Sequence, residues 1–310
     1  MKNFIFGIFQ FLFFAFLLAE VIIRLSSATP EYPERTIVNG VQKYVPGQSG
    51  YYSSESTEKW LINKYGWPGI VDIDHDTIIS IIGDSFIENL MNPQECNQAS
   101  YLHKIEPKYG YFEAARSGMT LIEELELLDE IDSLIKPNLN LIYISDDDVY
   151  ESIYEIRAHS DITQISLQKN MIIPGRIKYP ILKKILYSIK TLHFIYLRKG
   201  DFLAKEVKHV IPQNSFDEIE EKVKLFIEYV SENYNCDKVI FVFRPHSNDD
   251  LIAIFERQNL QTIKLHSKDY SKWQFVNDSH WNCFGHAEAA SQVFNQLRLR
   301  ADVYRKSGSK

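Results

Sequence analysis

From residue 77 onward, short apolar runs recur with little polar alternation: TIISIIG (77–83), YGYFEAA (109–115), LNLIYIS (139–145), KVIFVFR (238–244) and QTIKLHS (261–267). A strand that is apolar on both faces is covered on both faces, as in a parallel sheet held between helical layers. The intervening segments supply those layers. TLIEELELLDEIDSLI (120–135) sets Leu121, Leu125, Leu128 and Ile131 on one stripe with acids opposite, and FDEIEEKVKLFIEYVSENY (216–234) repeats the spacing. The pattern predicts an α/β fold of three layers, α/β/α, around a central parallel sheet of about five strands. One interval, about 150–213, is too long for a simple connection and reads as an insertion, helical after Pro180.

The N-terminus has no such alternation. Phe4 to Ile23 is almost unbroken apolar sequence, and as a helix it is roughly 30 Å long, the thickness of a bilayer core. Residues 1–24 are therefore expected to be a single-pass signal anchor, with Glu20 one turn from Arg24 near the interface. A cleaved signal peptide is the rival, because Ser26 to Ala28 are small residues of the kind a signal peptidase reads. Both readings place the rest of the chain outside the cytoplasm. Residues 25–60, rich in Pro, Ser, Gly and Tyr, read as a stalk or irregular lead-in, and 61–310 as the folded domain.

Composition is that of a globular protein, and the net charge of −7 comes with no Lys/Arg stripe, which argues against a nucleic-acid partner. Cys96, Cys236 and Cys283 form no CxxC pair, so zinc is not indicated and one thiol at least stays free. A Cys96–Cys236 bridge is one pairing open to an exported chain, and Cys283 reads as a small buried residue. VDIDHD (71–76) lacks the glycine and distal Glu of a calcium loop and reads as a solvated turn.

Ligands of an open α/β sheet bind at the carboxyl ends of its strands. The residues there are Gly83-Asp84-Ser85, Arg116-Ser117-Gly118, Ser145 to Asp148, and NDSHWNCFGH (277–286). Acyl transfer needs a hydroxyl, an imidazole, a carboxylate that orients it, and donors for an oxyanion. Ser85 is the candidate nucleophile, His280 the general base and Asp278 its orienting acid. The backbone N–H groups of Ser85 and Gly118 are candidate oxyanion donors. Asp84, Arg116, Arg244 and His246, at the same edge, are candidates for substrate contact. His286 reads as a packing residue in the first turn of a helix capped by Asn282. The bland alternative for the last block is that Asp278 caps a turn and His280 packs on Trp281.

These blocks resemble the SGNH/GDSL hydrolase family: GDS after an apolar strand, ARSG with Gly118, and DSHWNCFGH, in that order across most of 61–299. LLAEVIIRL followed by NKYGWPG (63–69) is similar to its membrane-anchored members, and the Asp-X-His-Trp form of Asp278 to Trp281 to its alginate O-acetyltransferase branch. The resemblance implies a flavodoxin-like SGNH fold and an esterase or O-acyltransferase acting on acylated surface glycans or small esters, with no cofactor and no metal. Two departures stand out. The family's usual Asp lies three residues before the His, where this chain has Asn277. Its Gly-X-Asn-Asp block aligns with Ser145 to Asp148, which puts Asp147 where an Asn would complete the oxyanion hole, and one lost donor typically costs about 3 kcal/mol. A noncatalytic member that binds a glycan or an envelope partner is the competing expectation.

Overall fold

A computed structural model describes residues 2–53, 55–69, 71–203 and 216–307. The chain begins with α1 (Lys2–Ser26), followed by two antiparallel hairpins, β1 (Arg35–Val38) with β2 (Val41–Tyr44) and β3 (Ser49–Ser53) with β4 (Thr57–Leu61). The domain proper opens with β5 (Val71–Asp72), β6 (Ile78–Gly83), α2 (Ser85–Glu88), α3 (Gln98–Ile105), β7 (Gly110–Ala115), α4 (Leu121–Ile135), β8 (Leu139–Ile144) and α5 (Asp146–Ser152). The insertion holds a hairpin, β9 (Gln164–Ser166) with β10 (Met171–Ile173), and then α6 (Pro180–Ser188) and α7 (Lys190–Leu203). It ends at α8 (Phe216–Asn233), and β11 (Val239–Phe243), α9 (Asp249–Arg257), β12 (Gln261–Lys264) and α10 (Cys283–Ser307) complete the chain.

The central sheet has the order β12-β11-β8-β6-β7-β5. Its five long strands are parallel, as expected, and the two-residue β5 adds an antiparallel edge to β7. The five run 2-1-3-4-5 in order of appearance, the flavodoxin-like arrangement, so the chain reverses direction across the sheet between β6 and β8. Register carries the carboxyl ends into line: Gly83 lies opposite both Ala115 and Tyr143.

Both faces are covered, which is why the strands read as continuous apolar runs. On β6, Ile79 and Ile81 pack toward Ala99 and Leu102 of α3 and Ala289, Ala290 and Val293 of α10. Ile78 and Ile82 pack toward Leu121, Leu125 and Leu128 of α4, Phe226 of α8 and Phe255 of α9. Each such buried isoleucine contributes about 1.5–3 kcal/mol.

The lead-in differs from the irregular stalk read in the sequence. Its hairpins pack on the domain: Val41 to Tyr44 are buried throughout, Lys43 pairs with Glu130 of α4, and Gln42 Nε2 donates to Asp161 O at 2.8 Å. The turn between β1 and β2 is Asn39-Gly40, both at positive φ (54° and 85°). An Asn-Gly pair is the strongest short-range hairpin signal in a sequence, and here it outweighs the loop-like composition around it. In the insertion the helical stretch after Pro180 is two helices broken at Ile189, and residues 204–215 lie outside the described set.

Two buried titratable groups sit between sheet and α3/α10. Burial pushes the Glu113 carboxyl up to about 8, and burial, with His280 adding to it, pushes the His286 imidazole down to about 3. Glu113 in the fold holds its proton above the ordinary 4.5, so stability falls as pH rises from there to about 8. His286 stays neutral below the ordinary 6.5, so stability falls as pH drops from there to about 3. Chemical denaturation of the full chain in detergent is expected to show Glu113→Gln gaining stability over the native chain above pH 8 and losing that advantage toward pH 4.5. His286→Gln is expected to flatten the acid limb.

Candidate active site

The turn from β6 into α2 is tight. A Cβ at Gly83 would stand 2.6 Å from Ile87 Cγ1, so only glycine lets the strand feed directly into the helix. Asp84 is the N-cap: its carboxylate accepts from Phe86 N–H at 2.9 Å and lies 4.0 Å from Arg244 Nη2. Ser85 follows at the carboxyl end of β6, as the first residue of α2.

Residue 280 reaches Ser85 from the other end of the domain. His280 Nε2 lies 2.8 Å from Ser85 Oγ, and its Nδ1 is hydrogen-bonded to Asp278 Oδ1. Asp278 Oδ1 also accepts from the His280 backbone N–H at 2.9 Å. Burial raises the Asp278 carboxyl, but the backbone N–H and ring of His280 outweigh it and hold the group below the ordinary carboxylate range. With Nδ1–H facing Asp278, Nε2 is the free base. The imidazole ring is 4.7 Å, centroid to centroid, from the Phe86 ring, over which the Arg244 guanidinium sits at 3.9 Å. The expected trio of Ser85, His280 and Asp278 is thus brought together.

The loop carrying the trio's last two members is pinned on all sides. Trp281 is fully buried, donates from Nε1 to Tyr270 Oη at 2.9 Å, and its carbonyl accepts from Asn92 Nδ2 at 2.8 Å. Asn277 N–H donates to Glu55 Oε1 at 3.0 Å, and Asn282 caps α10 through Gly285 N–H at 3.0 Å. His286, in the first turn of α10, is buried edge-on to Trp281, as read from the sequence. A disulfide joins Cys96 to Cys283, closing a separation of 187 residues, and Cys236 is the free thiol. This is not the Cys96–Cys236 bridge that the sequence left open, and it corrects the reading of Cys283 as a plain buried residue. The sequence held no signal for the partner, since α3 and α10 become neighbours only across the folded sheet.

The other candidates divide. Gly118, at φ 69°, occupies a conformation that favours glycine, and a side chain there would project into open space. Arg116 is fully buried: Nη2 lies 2.6 Å from Glu123 Oε2, Nε donates to Gln42 O and Nη1 to Ser117 O. It is a framework residue and not a substrate contact. Asp84 is likewise committed to the cap and to Arg244. Arg244 is part-exposed beside the trio, and His246 lies edge-on to Tyr270 at 4.6 Å.

Asp147 corrects the oxyanion-hole alignment. It is exposed and pairs with Arg157 at 2.8 Å, turned to the surface because Ser145 and Asp148 make a capping box that starts α5 there. Asp148 is buried, and burial and the neighbouring Asp84 hold its carboxyl well above the ordinary range; Glu124, buried beside them, is raised in the same way.

Residues without a sequence signal complete the surroundings. Glu88, one turn after Ser85, is buried and accepts from Ser117 N–H at 3.0 Å, from the Ser117 hydroxyl and from Tyr44 of β2. Arg35 of β1 donates to Ser117 O at 2.9 Å. The lead-in hairpins therefore brace the 116–118 loop. The 340 Å³ cavity lined by Glu126, Asp129, Tyr229, Tyr234 and Lys238 lies at the opposite edge, where β8 and β11 begin.

No family model matches the chain, and no curated protein matches it in sequence. Among solved structures it is similar to an acetyl xylan esterase from the rumen bacterium Butyrivibrio proteoclasticus, with 11% identity over 74% of this chain and 64% of that one and a TM-score of 0.39. The match spans less than two thirds of that protein's length. It is also similar to a psychrotrophic esterase from Pseudoalteromonas (12% identity, 73% and 100% coverage, TM-score 0.39) and to a lipase/acylhydrolase from Enterococcus faecalis (11%, 72% and 96%, 0.40).

The disulfide ties Cys96, two residues before α3, to the residue that follows Asn282. In the chain-entropy account, a loop of 187 residues is worth about 5 kcal/mol. Reduction of the full chain, or Cys283→Ser, is expected to lower its unfolding free energy by a large part of that amount in a urea titration. An unchanged midpoint would contradict the brace.

Proposed function

We propose that this chain is a membrane-tethered SGNH-type serine esterase or O-acyltransferase, acting through an acyl-Ser85 intermediate on acyl, chiefly acetyl, esters of a surface glycan. The observation that carries the proposal is the 2.8 Å approach of His280 Nε2 to Ser85 Oγ, with Asp278 on the other ring nitrogen. Nε2 takes the hydroxyl proton as Oγ attacks the ester carbonyl carbon, and the carbonyl electron pair moves to oxygen. The N–H groups of Ser85 and Gly118 receive that oxyanion. Collapse expels the alkoxide, which takes the proton from the imidazolium that Asp278 stabilises. A water or a sugar hydroxyl then gives its proton to Nε2, attacks the acyl carbon, and releases Ser85 with its proton restored. Hydrolysis and transfer differ only in this acceptor.

The outward turn of Asp147 favours the catalytic reading over a noncatalytic binder. A carboxylate facing the oxyanion would oppose it, and the Arg157 pair keeps that charge at the surface. Raised Asp148 and Glu124 carboxyls likewise lessen the negative charge near Asp84, the residue before Ser85. α1 is long and apolar enough to cross a bilayer, none of its residues is buried, and the proposed topology sets the domain on the extracytoplasmic side.

A fluorophosphonate probe is expected to label the full chain stoichiometrically at Ser85, with no labelling in Ser85→Ala and strong slowing in His280→Ala. A folded chain that stays unlabelled would make it a binding protein. On an acetyl ester substrate, Asp278→Asn is expected to lower kcat by up to about 10⁴-fold through loss of the imidazole's orientation. Asp147→Asn is expected to leave kcat within about twofold, because surface pairs contribute little; a tenfold change in either direction would put residue 147 back at the reacting atoms.

A further inference from the structure

The insertion leaves an apolar face uncovered beside α1. On α6 and just before it, Tyr179 (72%), Ile181 (75%), Leu182 (63%) and Ile185 (49%) are exposed, and no residue of α6 is buried. On α7, Leu192, Ile195 and Tyr196 are exposed at i, i+3 and i+4, a single stripe. Lys183, Lys184 and Lys199 are exposed among them.

The position of this face relative to α1 is fixed by polar contacts. Arg24 Nη2 donates to Ser188 O, the last residue of α6, at 2.6 Å. Glu20 accepts from the Lys190 and Thr191 N–H groups at 3.0 and 2.7 Å and from the Thr191 hydroxyl at 2.8 Å, so a carboxylate on α1 caps the start of α7. If Phe4 to Ile23 fills the hydrocarbon core, Arg24 stands at the water interface, and the α6–α7 junction that touches it stands at the same depth. The apolar face is then continuous with the lipid-facing surface of α1, and its lysines suit anionic headgroups.

We infer that α6 and the exposed stripe of α7 form a membrane-surface foot, lying in the headgroup–acyl boundary of the leaflet from which α1 emerges. The occupant of this face is the lipid bilayer. The foot gives the domain a second attachment and so a defined tilt over the membrane. This inference rests on the reading of α1 as an uncleaved anchor.

The test uses the full chain with Cys236→Ser, reconstituted into phosphatidylcholine/phosphatidylglycerol vesicles. A single environment-sensitive fluorophore is placed in turn through Ile181→Cys, Ile185→Cys, Tyr196→Cys, Phe11→Cys or Glu232→Cys. Nitroxide-bearing lipids are expected to quench the labels at 181, 185 and 196 by about twofold or more, as for residues that dip 5–10 Å into the boundary, and to spare the label at 232. Quenching at 11 alone would overturn the foot while keeping the anchor. No quenching at 11 would overturn the anchor and the foot with it. Blue-shifted emission at 181 and 185 without lipid quenching would also overturn the inference, because a protein would then be the occupant.

Discussion

A hydroxyl and an imidazole 195 residues apart must be held within one hydrogen bond, and most of what is distinctive in this chain serves that requirement. The parallel sheet meets half of it. Because β6 is buried on both faces and its register with β7 and β8 is fixed by the pleat, its carboxyl end cannot slip, and Gly83 turns it directly into the helix that starts at Ser85. The other half falls to the loop at 274–282, which has no ladder of its own beyond a single bridge between Gln274 and Trp281. Such a loop wanders unless other contacts fix it, and three do. Trp281 anchors it in the core, the Cys96–Cys283 bond anchors the helix that follows, and Glu55 of the lead-in holds Asn277.

Charge is the second constraint, since the proposed acyl transfer, which stabilises an oxyanion, tolerates little negative charge nearby. The chain places many acids at this edge: Asp84, Glu88, Glu124, Asp146, Asp147 and Asp148. Each is handled separately. Asp84 is engaged by a cap and by Arg244, and Glu88 by Tyr44 and Ser117. Asp146 accepts from Asn248 N–H at 3.0 Å, Asp147 is turned outward to Arg157, and burial raises Glu124 and Asp148 toward their neutral forms. Arg116, which the sequence offered as a substrate contact, belongs to the same bookkeeping: it is sealed against Glu123, where losing either partner would leave the other uncompensated in the core.

The layers and the blocks that carry Ser85, Asp278 and His280 were legible because each rests on local pattern. Continuous apolar runs mark strands covered on both faces, and the block around Asp278 and His280 precedes a helix whose cap, Asn282, is visible in the sequence. What stayed hidden depends on contacts between distant segments. Composition marked 25–60 as a stalk, yet Arg35 and Gln42 hold the 116–118 loop, Tyr44 holds Glu88 of α2, and Glu55 holds the 277 loop. An alternating apolar period is absent there because β2 buries Gln42 and Lys43 on polar partners as well as Val41 and Tyr44 in apolar clusters. The disulfide partner was hidden for the same reason, since it is decided by which helices meet. The direction of Asp147 is decided locally, by a capping box whose two members flank it.

Glu20 shows how the apolar helix α1 and the domain come to share one interaction. A carboxylate in an otherwise apolar helix is costly unless every lone pair finds a donor. Here the donors are Arg24 on the same helix, two backbone N–H groups and a hydroxyl at the start of α7, all of which would otherwise need water or a cap of their own. The residue before α7, Ile189, has no polar side chain to cap it, and Glu20 of α1 takes that part. Each side thus removes the other's unsatisfied group, and separating α1 from α7 would expose both deficits at once. That mutual dependence makes the insertion a second joint between the domain and its helix, beside the segment after Ser26 that Ser53, Tyr51 and Trp60 hold.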